Sequence, residues 1–252
     1  MGFFSRLFSS DEAEPSEGQI RKAIKQVTQT HGEAASRIGA MERLSLWGTP
    51  ESAAALLRRF TVQTPQASMD LEEKQYAVRL LADMGETAVN PIIAWLKTAP
   101  DVAHPVQALK KICTSEKYHT VLVEVLEALS EGYARWPETK VVLISGLDDE
   151  AFPQAGETVS RFLDDDDDDV CIAAADYLAR NGGDAAREKL VQVFLAAEGR
   201  PRVRGRILDH FSEHDWSVGK YKKEVEAVIS QPFYMTKKGV VKRGGTGVTI
   251  QS

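Results

Sequence analysis

Six pairs of adjacent apolar residues recur along the chain at a nearly constant spacing. They are Leu56/Leu57, Ile92/Ile93, Val125/Leu126, Phe162/Leu163, Val193/Phe194 and Val228/Ile229. The first members of consecutive pairs lie 31 to 37 residues apart. A period of this length is typical of repeat proteins built from stacked helical hairpins. The spacing therefore predicts an architecture, although it does not by itself indicate an activity.

The residues around each pair predict helices with one apolar face. Ala53, Leu56, Leu57 and Phe60 stand at positions i, i+3, i+4 and i+7, and the next two pairs show the same spacing. Side chains at these positions lie on one stripe of a helix about three turns long. A second amphipathic stretch precedes most stripes, so each repeat is interpreted as a helix A, a turn and a helix B. Because one hairpin cannot bury both stripes alone, neighbouring repeats must stack.

We therefore predict an all-α protein in which residues 17–231 form an α-solenoid of about six stacked antiparallel helical hairpins. A helix near residues 20–27 is expected to cap the array. The hairpins are predicted at 33–62, 70–97, 101–130, 137–163, 167–197 and 200–230. Residues 1–16 are expected to form an N-terminal tail with a short amphipathic segment. Residues 232–252, which are basic and rich in glycine, are expected to form a flexible or weakly structured C-terminal tail.

The charge distribution argues against a nucleic-acid groove. The net charge of the chain is −6, while residues 231–252 contain four basic side chains and no acid. The rest of the chain is therefore acidic and lacks the clustered basic face that phosphate contacts require. Its best basic cluster consists of Arg200, Arg202, Arg204 and Arg206. We interpret this cluster as a solvated helix start or a contact with a partner.

Neither a secretory signal nor a membrane span is predicted. The first eight residues lack the basic n-region, the long apolar stretch and the cleavage site of a signal, and no later apolar run is long enough to span a bilayer. Cys113 and Cys171 fall in different repeats and are expected to be reduced thiols in or near the core. A cytoplasmic location is the resulting expectation.

Residues 163–190 resemble the bacterial HEAT-like repeat. In that family a leucine, an acidic turn and a Val-Arg pair open helix A, an Ala-rich face follows, and a Gly-Asp turn leads into helix B. The acidic turn here is Asp164–Asp169, and the later turn is Gly182-Gly183-Asp184. Cys171 stands where the family has arginine, whereas Val203-Arg204 keeps the pair. The tetratricopeptide repeat has a compatible period, but its Trp-Leu-Gly-Tyr signature is absent.

The resemblance implies a HEAT-like or armadillo-like superhelix whose B helices line the concave side. Solenoids of this kind commonly bind other proteins on that face. Candidate partner-binding residues beside the apolar stripes are Arg58, Trp95, Glu124, Glu127 and Arg161. We expect Trp95 to be an exposed anchor, since tryptophan is enriched among residues that dominate binding energy.

The start of the chain offers a second candidate contact. Phe3, Phe4, Leu7 and Phe8 form a small apolar face. Such a face can dock into the groove of a partner or make peripheral contact with a membrane. Because the segment is short, folding over the first hairpin is the alternative interpretation.

Two stretches contain residue types that bind metal ions. The acidic run Asp164–Asp169 could offer oxygen ligands to a hard cation, but the rest of a calcium-loop pattern does not follow. We interpret it as a solvated helix start in which Asp169 or a neighbour caps the free amides. His210, Glu213 and His214 match H-x-x-E-H, in which two histidines bind zinc and the glutamate is the base. Such a site needs a third ligand from another element, and we predict neither metal nor cofactor.

These observations together predict a non-enzymatic scaffold or adaptor that holds another protein. No phosphate-binding loop, dinucleotide fingerprint or nucleophile elbow occurs in the sequence. Two alternatives remain open. One is a HEAT-like subunit of an enzyme such as a bilin lyase, which would bind a tetrapyrrole. The other is a zinc hydrolase acting through His210, Glu213 and His214.

Overall fold

The computed structural model describes residues 14–131, 136–147, 152 and 155–244. This part of the chain contains thirteen α-helices and two three-residue strands, so the prediction of an all-α protein is confirmed. None of these helices combines the length and the apolar content needed to cross a lipid bilayer. The described residues divide into two compact units, one of residues 14–96 and 101–114 and the other of residues 97–100 and 115–244.

The first unit contains six helices whose ends follow local sequence signals. They are α1 (Glu17–Val27), α2 (Ala34–Trp47), α3 (Pro50–Leu57, extended by a 3-10 turn over Arg58–Thr61), α4 (Ala67–Asp83), α5 (Glu86–Leu96) and α6 (Ala103–Ile112). Thr49 accepts a hydrogen bond from the amide of Ser52, and Pro50 stands at the first helical position of α3. Gly48 ends α2 with a left-handed φ of 64°, which glycine adopts without strain.

Helices that are two apart in sequence pack side by side in this unit. α2 contacts α4, α4 contacts α6, and α3 contacts α5. Hydrogen bonds link residues about one repeat apart: Tyr76 Oη donates to Glu42 at 2.8 Å across 34 positions, and Gln75 Nε2 donates to Gln107 at 3.2 Å across 32 positions. The apolar pair Leu56/Leu57 of α3 is fully buried, as its spacing predicts.

A buried network of charges joins α2, α3 and α4. Arg37 donates two hydrogen bonds to Glu73, at 2.8 and 2.7 Å. Arg59, which is 0% exposed, donates to Asp70 at 2.6 Å and to Glu73 at 3.1 Å. The backbone N–H of Thr64 also donates to Asp70, at 2.9 Å. Burial alone would raise the pKa of Asp70, but these donors and Lys74 lower the pKa to about 2.

The second unit contains seven helices and a short antiparallel hairpin. They are α7 (Ser115–Ser130), α8 (Pro137–Gly146), α9 (Ala155–Ser160, extended by a 3-10 turn over Arg161–Asp164), α10 (Asp168–Asn181), α11 (Gly183–Ala196), α12 (Pro201–Glu213), α13 (Lys222–Val228), β1 (Phe233–Met235) and β2 (Val241–Arg243). Here too α8 packs beside α10, and α10 beside α12, while α7 contacts α9 and α11 contacts α13. The pairs Val125/Leu126 and Phe162/Leu163 lie in this core.

The sixth apolar pair does not play the predicted role. Val228 is 41% exposed, and Val225 is the buried residue of α13 instead. The helix ends at Val228, and the backbone of Ile229 is extended. Ile229 therefore lies beyond the last helical turn and no longer follows the 3.6-residue period of the apolar stripe.

The C-terminal segment also differs from the expected weakly structured tail. Phe233 pairs with Arg243 in the ladder between β1 and β2, and β2 contacts α12. The backbone N–H of Arg243 donates to Ser212 at 2.9 Å, and its guanidinium donates to Asp209 at 2.7 Å. Val241 is fully buried. Two of the four basic side chains of this segment, Lys242 and Arg243, therefore pair with aspartates of the second unit. Residues 245–252 lie outside the described part of the chain.

Candidate functional site

The acidic run is used within the second unit as a helix cap and as a set of ion pairs. Asp167 caps α10 by accepting hydrogen bonds from the amides of Asp169 and Val170, at 2.9 and 3.1 Å. This confirms that an aspartate of the run caps the helix. Asp165 pairs with Lys140 at 2.7 Å, and Asp168 pairs with Arg200 at 2.7 Å. The run is thus partly paired within the second unit, while Asp164, Asp166 and Asp169 stay exposed, so the expected solvated helix start is confirmed only in part.

The cap predicts a measurable difference between two neighbouring aspartates. Replacing Asp167 by alanine should lower the free energy of unfolding by about 1 kcal/mol, because two amides at the start of α10 lose their acceptor. Asp166→Ala removes the same charge from an exposed position and should change stability by less than about 0.5 kcal/mol. Urea denaturation of both variants measures the difference. Equal losses would show that charge, and not capping, determines the effect.

The arginines that open α12 turn toward α10 and do not form an open basic face. Arg202 pairs with Asp169, and Arg206 Nε donates to Asp176 Oδ1 at 2.6 Å. Arg204 donates to the carbonyl of Phe194 at 3.0 Å, at the end of α11. Arg202 stays exposed, as a solvated helix start predicts, whereas Arg204 and Arg206 are half-buried and bonded within the second unit. Contact of these arginines with a partner stays a prediction.

Among the ion pairs that link α10 and α12, the pair of Asp176 and His210 is the most buried. His210 Nε2 lies 2.7 Å from Asp176 Oδ1, and His210 is only 3% exposed. Burial alone would raise the pKa of the Asp176 carboxyl, but the hydrogen bonds with His210 and Arg206 keep this pKa below its ordinary value. Asp176 therefore stays ionised and orients the imidazole.

The three residues of the H-x-x-E-H motif come together at the C-terminal end of α12. His210 Nδ1 lies 3.9 Å from Glu213 Oε2, and a ligand atom of each residue, His214 included, lies within 4.8 Å of the others. The ring of His214 stacks on that of Trp216 with centroids 4.7 Å apart. Arg187 covers Trp216 with its guanidinium carbon 4.8 Å from the ring centroid. Glu213 and His214 are exposed, whereas His210 is buried.

A separate groove of about 500 Å³ lies between α8 and α10. Val141, Val142, Ile172 and Ala173 form its half-buried apolar floor, and charged or polar residues of both helices line its rim. The rim residues are Glu138, Ser145, Asp169, Asp176 and Arg180. An apolar strip with charged edges can accept apolar side chains of another molecule. We call this site the α8/α10 groove.

The sequence-predicted partner residues are distributed over both units. In the first unit Arg58 is exposed, but Trp95 is half-buried and its indole N–H donates to the carbonyl of Asp101 at 2.9 Å. Trp95 is therefore not the exposed anchor that we expected, because its polar group is used within its own unit.

The predicted partner residues of the second unit are exposed. Glu127 accepts a hydrogen bond from Thr158 at 3.1 Å, and Arg161 lies 3.9 Å from Glu157. Glu124 is exposed on the same helix as Glu127. None of these three residues lines the α8/α10 groove. Their part in binding stays a prediction.

Other predictions concern the N-terminus, the cysteines and the turn before α11. Phe3, Phe4 and Phe8 lie outside the described residues. Cys171 is buried and free, its thiol donates to the carbonyl of Leu163 at 3.0 Å, and burial raises its pKa to about 11. It is therefore a free thiol in the core, as we predicted, and its raised pKa disfavours the reactive thiolate. Gly183, in the Gly-Gly-Asp turn of the family resemblance, has a left-handed φ of 61°.

Sequence reasoning missed Asp176 and the α8/α10 groove. Asp176 lies 34 positions from His210 and 30 from Arg206. This separation of about one repeat was the available signal: a polar residue on one A helix faces the polar residue at the equivalent place on the next.

No family model, curated protein or solved structure matches this chain.

Proposed function

We propose that this protein is a non-enzymatic scaffold or adaptor that binds another protein through a surface of stacked, HEAT-like helical hairpins. The side-by-side packing of helices two apart in sequence, which occurs within each unit, supports the solenoid part of this proposal. In such stacks each hairpin shares its core with its neighbours and leaves a continuous outer helix face for binding.

The observation that carries the proposal is the α8/α10 groove. Its floor presents four adjacent apolar side chains that the protein itself leaves half-exposed. Exposed apolar surface that is contiguous and rimmed by polar groups is a mark of interaction sites. Helical grooves of this kind commonly accept an amphipathic segment, which places its apolar residues on the floor.

The rim indicates the chemistry of the partner. Asp169 and Asp176 are paired with arginines of α12, whereas Glu138 stands exposed at the start of α8. A partner segment with small apolar side chains for the floor and a basic side chain for Glu138 would complement this groove. The segment that fits this groove is therefore apolar on one side and basic where it meets Glu138.

A matched pair of variants tests this proposal. Ile172→Lys places a charge on the groove floor, and Glu124→Lys reverses a charge on the exposed face of α7 in the same unit. In affinity capture from a lysate of the source cell, we expect Ile172→Lys to reduce the retained partner at least tenfold. Glu124→Lys should retain it, because its side chain does not line the groove. The thermal unfolding of both variants controls for folding.

The opposite result with these two variants would place the binding surface on another face of the protein. Loss of the partner with Glu124→Lys and retention with Ile172→Lys would favour the B-helix face that the family resemblance implies. The absence of any retained protein with the unaltered chain would contradict the scaffold function.

A further inference from the structure

His210 has one ring nitrogen that the protein uses and one that it does not. Nε2 lies 2.7 Å from the Asp176 carboxylate. Nδ1 is buried and has no hydrogen-bond partner, and the whole His210 residue is only 3% exposed. Buried polar atoms in proteins are nearly always satisfied, and an exception in a site with other ligand groups suggests a missing ion or water.

The side chains nearest to Nδ1 are metal-ligand types. Glu213 Oε2 lies 3.9 Å from it, and the His214 ligand atom lies within 4.8 Å of both. The three residues stand at positions i, i+3 and i+4, with His214 as the C-cap residue of α12, and this spacing brings them to one side of the helix end. Ligand atoms bound to one tetrahedral zinc ion lie about 3.4 Å apart. Because Glu213 and His214 are exposed, small side-chain rotations can bring their atoms to this distance.

Asp176 supplies the outer support that metal-binding histidines normally have. A ligating imidazole usually donates its other N–H to a carboxylate, which fixes the tautomer and the direction of the free nitrogen. The contact between His210 Nε2 and Asp176 has this form and leaves Nδ1 directed at the metal position. Arg206 holds the same carboxylate oxygen at 2.6 Å, and Trp216 stacks on His214. Two of the three ligands are thus oriented by residues outside the motif.

We propose that His210 Nδ1, Glu213 and His214 bind one divalent transition-metal ion of the zinc class. Two imidazoles and a carboxylate are a ligand set that zinc accepts readily. The three protein ligands leave a fourth position for water or for an external group. Glu213 acts here as a ligand, whereas in the H-x-x-E-H motif of proteases the glutamate is the base. None of the three ligands lines the α8/α10 groove, although Asp176 borders both sites.

The test is zinc binding by the full chain, measured by isothermal titration calorimetry after removal of metal with a chelator. We expect one Zn²⁺ per chain. His214→Ala and Glu213→Gln change exposed ligands and should each weaken binding at least tenfold. His31→Ala, at an exposed position of the first unit, and Glu226→Gln, on the exposed face of α13, are the matched controls and should leave the affinity unchanged.

A second variant separates positioning from ligation. Asp176→Asn keeps the shape of the side chain but removes the charge that orients His210, and it should weaken zinc binding about 10–100-fold. Bound Co²⁺ should show the strong visible absorption of a low-coordinate site, and His214→Ala should abolish it. The proposal is overturned if the unaltered chain binds no zinc, or if the control variants reduce affinity as much as the ligand variants.

Discussion

Replacing Arg59 by alanine should lower the free energy of unfolding by about 3–5 kcal/mol. Arg59 is 0% exposed and donates to Asp70 and Glu73 at 2.6 and 3.1 Å. It also donates to the carbonyl of Val62 at 3.1 Å. Its removal takes the shortest ion-pair partner from Asp70, which keeps only Lys74, and leaves Glu73 with Arg37 alone. Removing one partner of a buried ion-pair network is strongly destabilising. Chemical denaturation of the purified chain measures the loss.

The neighbouring arginine provides the control. Arg58→Ala removes the same side chain from an exposed position one residue earlier, and it should change stability by less than about 0.5 kcal/mol. Equal effects of the two substitutions would contradict the buried network, because the loss would then come from the helix end and not from buried charge pairs.

Acid should destabilise the first unit over a defined pH range. The pKa of Asp70 falls from an ordinary 3.8 to about 2 in the folded chain. For Glu73, burial would raise the pKa, but Arg37 and Arg59 lower it below the ordinary value. Carboxylates with lowered folded-state pKa values stabilise the protein above their ordinary pKa, and this stabilisation is lost as the pH falls. Between about pH 4 and 2 we expect Asp70 alone to remove about 2 kcal/mol.

Denaturant unfolding at a series of pH values checks this expectation. In Asp70→Asn the stability at neutral pH should be lower, and the decline between pH 4 and 2 should be correspondingly shallower. Asp83→Asn replaces an exposed aspartate at the end of the same helix and should keep the profile of the unaltered chain. A profile of Asp70→Asn that parallels that of the unaltered chain would contradict the pairing of Asp70 with Arg59.

The helical class could be predicted because it depends on local periodicity. The pairs at Leu56/Leu57 and Val125/Leu126 are buried, since side chains at i, i+3 and i+4 share one helix face. The same rule failed at Val228, where the helix ends. It also failed to foresee the hairpin of β1 and β2, whose short strands depend on contacts with α12 more than on their own alternation.

Polar partners were harder to predict, because they lie about one repeat apart and on different helices. The solvated interpretation of the run at Asp164–Asp169 is only partly confirmed, because Lys140 and Arg200 pair with two of its aspartates. Trp95 was expected to be exposed from its place beside the apolar stripe, but the carbonyl of Asp101 accepts its N–H. The helical period shows which face a residue occupies. It does not show which residue of the next helix meets that face.

The most direct test of the α8/α10 groove is site-specific photo-crosslinking. A photoreactive amino acid at Ser145, on the rim of the groove, is compared with the same amino acid at Glu124, on the exposed face of α7. The proposed function predicts a covalent adduct with one protein from position 145, its disappearance when Ile172→Lys is added, and no adduct from position 124. An adduct from position 124 alone would contradict the groove, and no adduct from either position would contradict the scaffold function.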